Sequence, residues 1–172
     1  SQVEPGGINY LQVSSNNGKT WNNVLKKEIF GSDTSISGLF LSGNTVVVGT
    51  VFGNSYISYN SGATWGSISP VTASSFSTTG GLIKGNIIFL SGEFRTPNIS
   101  LDYGHTWKQI KSVNSNENFT IFLSLNNEIV AATYGQGVYL STNDGLSGTW
   151  TKAVGIPSNA FCYSAKIDGS EI

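Results

Sequence analysis

One short segment recurs four times along the chain and ends each time in tryptophan. It occupies Ser14–Trp21, Ser58–Trp65 and Ser100–Trp107, and a fourth copy, Ser141–Trp150, is two residues longer. All four tryptophans belong to these segments, which we call repeat turns 1 to 4, and they lie 44, 42 and 43 positions apart. A fixed period near 43 residues indicates a repeat architecture in which each unit packs on its neighbours.

Five positions recur within the repeat turns: serine, asparagine or aspartate, glycine, threonine and tryptophan. They are Ser14, Asn16, Gly18, Thr20 and Trp21; Ser58, Asn60, Gly62, Thr64 and Trp65; Ser100, Asp102, Gly104, Thr106 and Trp107; and Ser141, Asn143, Gly145, Thr149 and Trp150. An Asn or Asp side chain accepts hydrogen bonds from turn amides, glycine permits positive φ, and tryptophan buries a large ring. We interpret these positions as structural, the alternative being a metal or substrate site.

The residues around each turn alternate between strand-forming runs and turn signals. In the second repeat the runs are Ser35–Leu41, Thr45–Val51, Ser55–Tyr59 and Trp65–Ser69. The third and fourth repeats have the same order, and no segment of ten or more residues shows the apolar period of a helix. The sequence therefore predicts an all-β fold, a β-propeller of four-stranded antiparallel blades.

The first repeat is incomplete at its start. Ile8–Val13 offers only a third strand, whereas Ala160–Ile167 is predicted as a first strand and Ser170–Ile172 as the beginning of a second. A ring sealed by pairing its two ends leaves only short, protected edges. We expect one domain, 1–172, with about four blades, the first completed by the C-terminal strands: 1–30 plus 159–172, 31–73, 74–115 and 116–158. A homodimer that completes a larger propeller stays open, as does the possibility that the chain is an excised piece or a mature form.

The repeat turns resemble the Asp-box, also called the bacterial neuraminidase repeat, whose pattern is Ser-x-Asp-x-Gly-x-Thr-Trp. Sialidases, xyloglucan-type glycoside hydrolases, sortilin-like receptors and photosystem II assembly factors carry it, and the resemblance implies their propeller fold. Two departures stand out, because asparagine replaces aspartate in three copies and the fourth copy is stretched. Four blades are also fewer than is usual in those families.

Resemblance to sialidases implies a substrate carboxylate held by three arginines. This chain has one arginine, Arg95, so a complete sialidase site is excluded. Other glycoside hydrolases need two facing carboxylates, and the predicted candidates are Glu4, Asp33, Glu93 and Glu117. None lies in a recognisable motif, so we expect no enzyme. The alternative is part of a larger glycoside hydrolase, sialidase-superfamily or xyloglucanase-like, whose catalytic residues lie largely outside this chain.

The chain has one cysteine and one histidine, which also argues against an enzyme. Cys162 is predicted on an inner strand and His105 in a repeat turn on the far rim, so no cysteine–histidine pair is expected. One histidine and one cysteine cannot provide the usual ligands of a zinc site, and no cofactor or metal is expected.

Charge and hydropathy limit the partners. Charged residues make up 11% of the chain and the net charge is −1, without the basic excess of a nucleic-acid-binding protein. No apolar stretch is long enough to span a membrane. One cysteine leaves the compartment open, and we expect a secreted, periplasmic or cell-surface location.

Three loops opposite the repeat turns carry an aromatic residue six or seven positions before the turn serine. These are Phe52, Phe94 and Tyr134, with Asn54, Glu93, Arg95 and Gln136 beside them. Aromatic and arginine side chains are enriched at the energetic centres of interfaces, and aromatic faces suit sugar rings. The predicted function is a non-catalytic module that binds a protein or a glycan through this rim. The alternative is that each aromatic packs at a strand end against the next blade.

Overall fold

Three four-stranded antiparallel sheets follow one another along the chain. The structure is a computed structural model that describes residues 11–24, 35–69, 77–92, 96–110, 119–146 and 148–168. Blade 1, formed by the second repeat, consists of β3 (Ile36–Ser42), β4 (Thr45–Thr50), β5 (Ser55–Ser58) and β6 (Gly66–Ile68). Blade 2 consists of β7 (Thr78–Lys84), β8 (Ile87–Gly92), β9 (Asn98–Ser100) and β10 (Lys108–Gln109). Blade 3 consists of β11 (Phe119–Leu125), β12 (Glu128–Thr133), β13 (Val138–Ser141) and β14 (Trp150–Lys152).

The first repeat forms a two-stranded antiparallel sheet from β1 (Gln12–Val13) and β2 (Asn22–Asn23), the repeat-1 hairpin. Each blade keeps its strands in sequential order, and the described residues contain no helix, hence none that could cross a membrane. The predicted all-β propeller of antiparallel four-stranded blades is confirmed.

Local chemistry explains the strands. The second strand of each blade is rich in apolar residues along its whole length because both of its faces are covered; Val47 and Val48, adjacent in β4, are both fully buried. The first two strands of each blade are joined by a two-residue turn that requires positive φ. Glycine provides it at Gly43 and Gly85, and Asn126 adopts it in blade 3.

The hydrophobic core lies between blades. Phe89 of blade 2 packs against Phe119 and Phe122 of blade 3, with the Phe89 and Phe122 rings stacked at 5.1 Å. A second cluster joins Val47 of blade 1 to Ile88 of blade 2. Each blade is therefore stabilised mainly by its neighbours, as in other repeat proteins.

The C-terminal segment, residues 160–168, lies beside blade 3 and differs from the expected strand. Its described residues form isolated bridges and no strand, and the bridge between Phe161 and Tyr134 arises because the backbone follows the loop between β12 and β13. The Cys162 amide donates to Thr133 O at 3.2 Å. Pairing between the chain ends and the repeat boundaries stay predictions, since 1–10 and 169–172 lie outside the described residues.

Candidate functional site

Each repeat turn is held by the same two hydrogen bonds to its glycine. The glycine amide donates to the turn serine Oγ at 2.8, 2.8, 2.7 and 3.0 Å in turns 1 to 4. The glycine carbonyl accepts from the tryptophan Nε1–H at 3.1, 3.0, 3.0 and 3.2 Å. Serine and tryptophan therefore hold opposite ends of the turn in one geometry throughout the chain.

The asparagine-for-aspartate replacement preserves the turn by reversing one hydrogen bond. Asn60 Oδ1 accepts the Thr64 amide at 2.8 Å, as Asp102 accepts the Thr106 amide at 2.8 Å. The Asn60 amide group then donates to the Thr64 hydroxyl at 2.9 Å, whereas the Thr106 hydroxyl donates to Asp102 at 2.6 Å. The threonine hydroxyl can play either part, which explains why both residue types fit.

The stretched fourth turn uses a different threonine contact. The hydroxyls of Ser141 and Thr149 lie 2.7 Å apart, and the Thr149 amide donates to Leu146 O at 3.2 Å. The two-residue insertion thus changes the closing contact but leaves the serine and tryptophan hydrogen bonds in place.

Asp102 is the one aspartate at its position in the four turns, and its environment keeps it ionised. Hydrogen bonds from the Thr106 side chain and amide, and from Ser100, lower the pKa of Asp102 from 3.8 to about 2. Such a carboxyl group is a poor proton donor at neutral pH, since a general acid needs a pKa near the working pH.

Two of the three predicted aromatic residues are exposed in loops opposite the repeat turns. Phe52 is 64% exposed and Tyr134 is 43% exposed, so neither packs into an inter-blade core. Asn54 lies in the loop of Phe52 and is exposed. Gln136 is partly buried in the loop of Tyr134, and its backbone N–H donates to Thr133 Oγ1 at 3.1 Å. Glu93, Phe94 and Arg95 lie outside the described residues, as do Glu4, Asp33 and Glu117. Ligand binding by the whole predicted set stays a prediction.

Tyr134 belongs to an exposed cluster with two aromatic residues that the sequence did not single out. Its ring centroid lies 4.8 Å from that of Phe161 and 6.0 Å from that of Tyr163, both edge-to-face. Phe161 and Tyr163 are stacked with an interplanar angle of 14° and are 53% and 78% exposed. We call Tyr134, Phe161 and Tyr163 the aromatic cluster.

Contact with Tyr134 also affects the ionisation of Tyr163. The pKa of the Tyr163 phenol is raised above 10, first by repulsion from the Tyr134 phenolate and then by a side-chain hydrogen bond with Tyr134. The Tyr163 phenol is therefore neutral at physiological pH, and the cluster presents aromatic rings and a phenol hydroxyl to solvent.

The reactive side chains lie far from one another in the fold. Cys162 lines an apolar cavity against β11 and β12, whereas His105 lies in repeat turn 3 and stacks on Tyr59 at 6.4 Å. Among the described residues no three His, Cys, Asp or Glu side chains lie close enough together to hold a metal ion.

Known proteins resemble this chain in structure. No protein-family model and no curated protein matches it. An extracellular domain of a one-component system, BT4673 from B. thetaiotaomicron, superposes with a TM-score of 0.71 at 14% identity, over 96% of this chain and 23% of that chain. A GH74 enzyme from Niastella koreensis gives 0.64 at 16% identity, over 88% and 27%.

A third similar structure is YCF48 bound to D1 peptide, with a TM-score of 0.59 at 18% identity, over 70% of this chain and 40% of that chain. These superpositions support the β-propeller fold, and at identities this low they leave the activity open. The chain spans less than half the length of each of these three proteins.

Proposed function

We propose that this chain is a non-catalytic β-propeller module that binds a protein or a glycan through the rim opposite its repeat turns. The observation that carries the proposal is the aromatic cluster, in which Phe161 and Tyr163 stay exposed although they pack against Tyr134. Fully burying one such side chain stabilises a complex by about 1.5–3 kcal/mol. The cluster therefore offers a ligand a group of exposed rings at this rim.

The repeat turns take the role of Asp-boxes in this proposal and serve as the scaffold. Their polar side chains are engaged within the turn itself, as the Asp102 hydrogen bonds to Ser100 and Thr106 illustrate. They hold the strand ends in place, and the opposite loops are left to vary with the ligand.

Two ligand classes suit the cluster. Neutral, nearly parallel rings can stack on the apolar face of a sugar, and they can equally hold an apolar peptide side chain. The similarity to YCF48 bound to D1 peptide supports a peptide, and the similarity to GH74 enzymes supports a glycan. At this rim a peptide and an oligosaccharide are the two probes to compare.

A second candidate function is a portion of a larger glycoside hydrolase. The observation in its favour is that the chain superposes on 27% of one GH74 enzyme and 24% of a GH74 xyloglucanase from Xanthomonas campestris. The catalytic carboxylates of that enzyme would then lie largely outside this chain. Release of reducing ends from xyloglucan by this chain alone would favour an enzyme and contradict the binding module.

The binding proposal is tested with Phe161→Ser and Tyr163→Ser. The matched control is Tyr103→Ser, because Tyr103 has the same 53% exposure as Phe161 but lies in repeat turn 3 on the other rim. An oligosaccharide array and a peptide array identify the probe, and titration calorimetry measures its affinity. We expect each cluster variant to weaken binding by about tenfold or more, and the control to leave it unchanged.

Equal affinity of the cluster variants and the native chain for that probe would overturn the proposal. The residues singled out from sequence are compared in the same assay with Phe52→Ala and Tyr134→Ala. Loss with Tyr134→Ala alone places the ligand at the cluster, whereas loss with both extends the surface toward blade 1. The proposal also includes a homodimer in which two chains together complete a larger propeller.

A further inference from the structure

Each blade presents one row of three apolar residues toward the blade that follows it. The three residues are cross-strand partners on the first, second and third strands. The forward rows, as we call them, are Phe40, Val47 and Ile57 in blade 1, Leu82, Phe89 and Ile99 in blade 2, and Leu123, Val130 and Leu140 in blade 3.

The next repeat turn covers the forward row at both complete junctions. Trp107 of repeat turn 3 packs on the cluster of Val47, and Trp150 of repeat turn 4 belongs to the cluster of Phe89. The turn glycines approach the same rows. A Cβ placed on Gly104 would lie 3.3 Å from Ile57, and a Cβ placed on Gly145 would lie 2.5 Å from Phe89.

The forward row of blade 3 has no repeat turn on it in the described structure. An apolar cavity of about 360 Å³ lies there, lined among others by Leu123, Val130 and Leu140. Leu140 is only partly buried, whereas its counterparts Ile57 and Ile99 are each 4% exposed. None of the residues lining the cavity is charged, so an incoming apolar ring meets no unpaired ion.

Repeat turn 1, conversely, has no forward row packed against it among the described residues. Trp21 is 58% exposed, whereas Trp150 at the same position of repeat turn 4 is 3% exposed. Among the described atoms, a Cβ on Gly18 would meet only Trp21 of its own turn, at 3.8 Å. Yet the Trp21 indole keeps the same hydrogen bond to its glycine carbonyl as the other three. Repeat turn 1 therefore has the same serine and tryptophan hydrogen bonds as the other turns, although no forward row packs against it among the described residues.

The C-terminal segment contributes one contact to the junction at blade 3. At the first junction Ser37 Oγ donates to Thr78 O, where the first strand of blade 2 begins, at 2.9 Å. Thr120 Oγ1 of blade 3 donates to Cys162 O at 3.3 Å in the same way. Residues around Cys162 therefore lie where the first strand of a following blade would begin, and the described residues contain no outer strands of that blade.

We infer that a second copy of this chain provides those outer strands, with its repeat turn 1 seated on the forward row of blade 3. Trp21 of each copy then fills the cavity beside Leu140 of the other, and two identical junctions close a ring. A second copy is favoured over closure within one chain because repeat turn 1 is not seated on blade 3 among the described residues: Trp21 is exposed, and no repeat-turn residue lines the cavity beside Leu140.

This inference develops the homodimer of the proposed function and is independent of ligand binding at the aromatic cluster. The test is the molar mass of the full chain in solution, measured by light scattering over a range of concentrations. We expect twice the 18.2 kDa mass of one chain. Trp21→Ser and Leu140→Asp should each weaken dimerisation by about a hundredfold or more. Val154→Asp, at a fully exposed position outside the cavity lining, is the matched control and should remain dimeric.

Mixing the two variants shows whether the contact runs head to tail. A copy with Trp21→Ser keeps an intact blade 3, and a copy with Leu140→Asp keeps an intact repeat turn 1, so the mixture regains one good junction and should dimerise more tightly than either variant alone. A native chain that is monomeric at all concentrations, or a mixture no tighter than its components, overturns the inference. Circular dichroism monitors folding, and if Leu140→Asp unfolds, Trp21→Ser alone decides.

Discussion

Substituting Gly145 with alanine probes the contact that holds blade 3 on blade 2. Gly145 has φ +72°, and an added Cβ would lie 2.5 and 2.6 Å from two ring carbons of Phe89 and 3.1 Å from Trp150. Phe89 is fully buried and stacked on Phe122, so its ring cannot move aside without disturbing the core. The contact is therefore a steric test of inter-blade packing.

The expected cost has two parts. Placing a residue with a side chain in the left-handed region costs about 1–2 kcal/mol, and overpacking a well-filled core costs about 1–3 kcal/mol. The free energy of unfolding should thus fall by about 2–5 kcal/mol, a large part of the stability of an ordinary domain. Gly104→Ala is the reference, because its φ is +92° but its Cβ would approach nothing closer than the flexible end of Ile57 at 3.3 Å, with Ile88 and Trp107 at ordinary contact distances of 3.6 and 3.7 Å. That variant should lose about 1–2 kcal/mol.

Urea unfolding of the native chain and both variants at one protein concentration measures the difference. A double-mutant cycle with Phe89→Leu separates the steric part, because a smaller side chain at position 89 leaves room for the new methyl group. We expect the double variant to be more stable than the sum of the single changes predicts. Equal costs for Gly145→Ala and Gly104→Ala, together with strict additivity in the cycle, would refute the steric argument.

Three further predictions concern the repeat turns. The pKa of Asp102 is lowered to about 2 by its Thr106 hydrogen bonds, so its contribution to stability is present above pH 3.8 and is lost as the pH falls through 2. Asp102→Asn should remove that dependence, and an unchanged slope of stability between pH 4 and 2 in urea unfolding would contradict it. Lys84→Ala breaks a 2.7 Å ion pair with Asp144 between blades 2 and 3, both partners being partly exposed, and should cost about 0.2–1 kcal/mol, less in 1 M salt. A loss that salt does not change would argue against an electrostatic contact. Tyr103→Asn should raise the free energy of unfolding by up to about 1 kcal/mol, because Tyr103 has φ +60° and asparagine tolerates that region better; a lowered melting temperature would contradict it.

Much of the blade structure could be predicted because its signals are local. The runs around Thr45–Val51 and Ser55–Tyr59 predict strands that the structure places at Thr45–Thr50 and Ser55–Ser58. Repeat turn 2, which connects β5 to β6, is specified within eight residues, from Ser58 to Trp65. Its hydrogen bonds link residues two to four positions apart, so they depend on neighbouring side chains in the sequence.

The candidate site was only partly predictable. Tyr134 was identified from its place before a repeat turn, but Phe161 and Tyr163 were assigned to an inner strand. A signal was present, since Phe161 and Tyr163 alternate with Cys162 and Ser164, the latter two lining the cavity. Which member of the alternation faces solvent depends on the path of the C-terminal segment along blade 3, and neighbouring residues do not determine that path.

By itself the sequence determined the repeat, the strands within it and the hydrogen-bonded turns, because these depend on side chains close together in the chain. Only the tertiary structure decided which apolar faces are covered. Trp21 and Trp150 occupy the same position in nearly the same turn, and one is exposed while the other is buried. The difference lies in whether a preceding blade stands against the ring, and burial is a property of that neighbour and cannot be read from the turn.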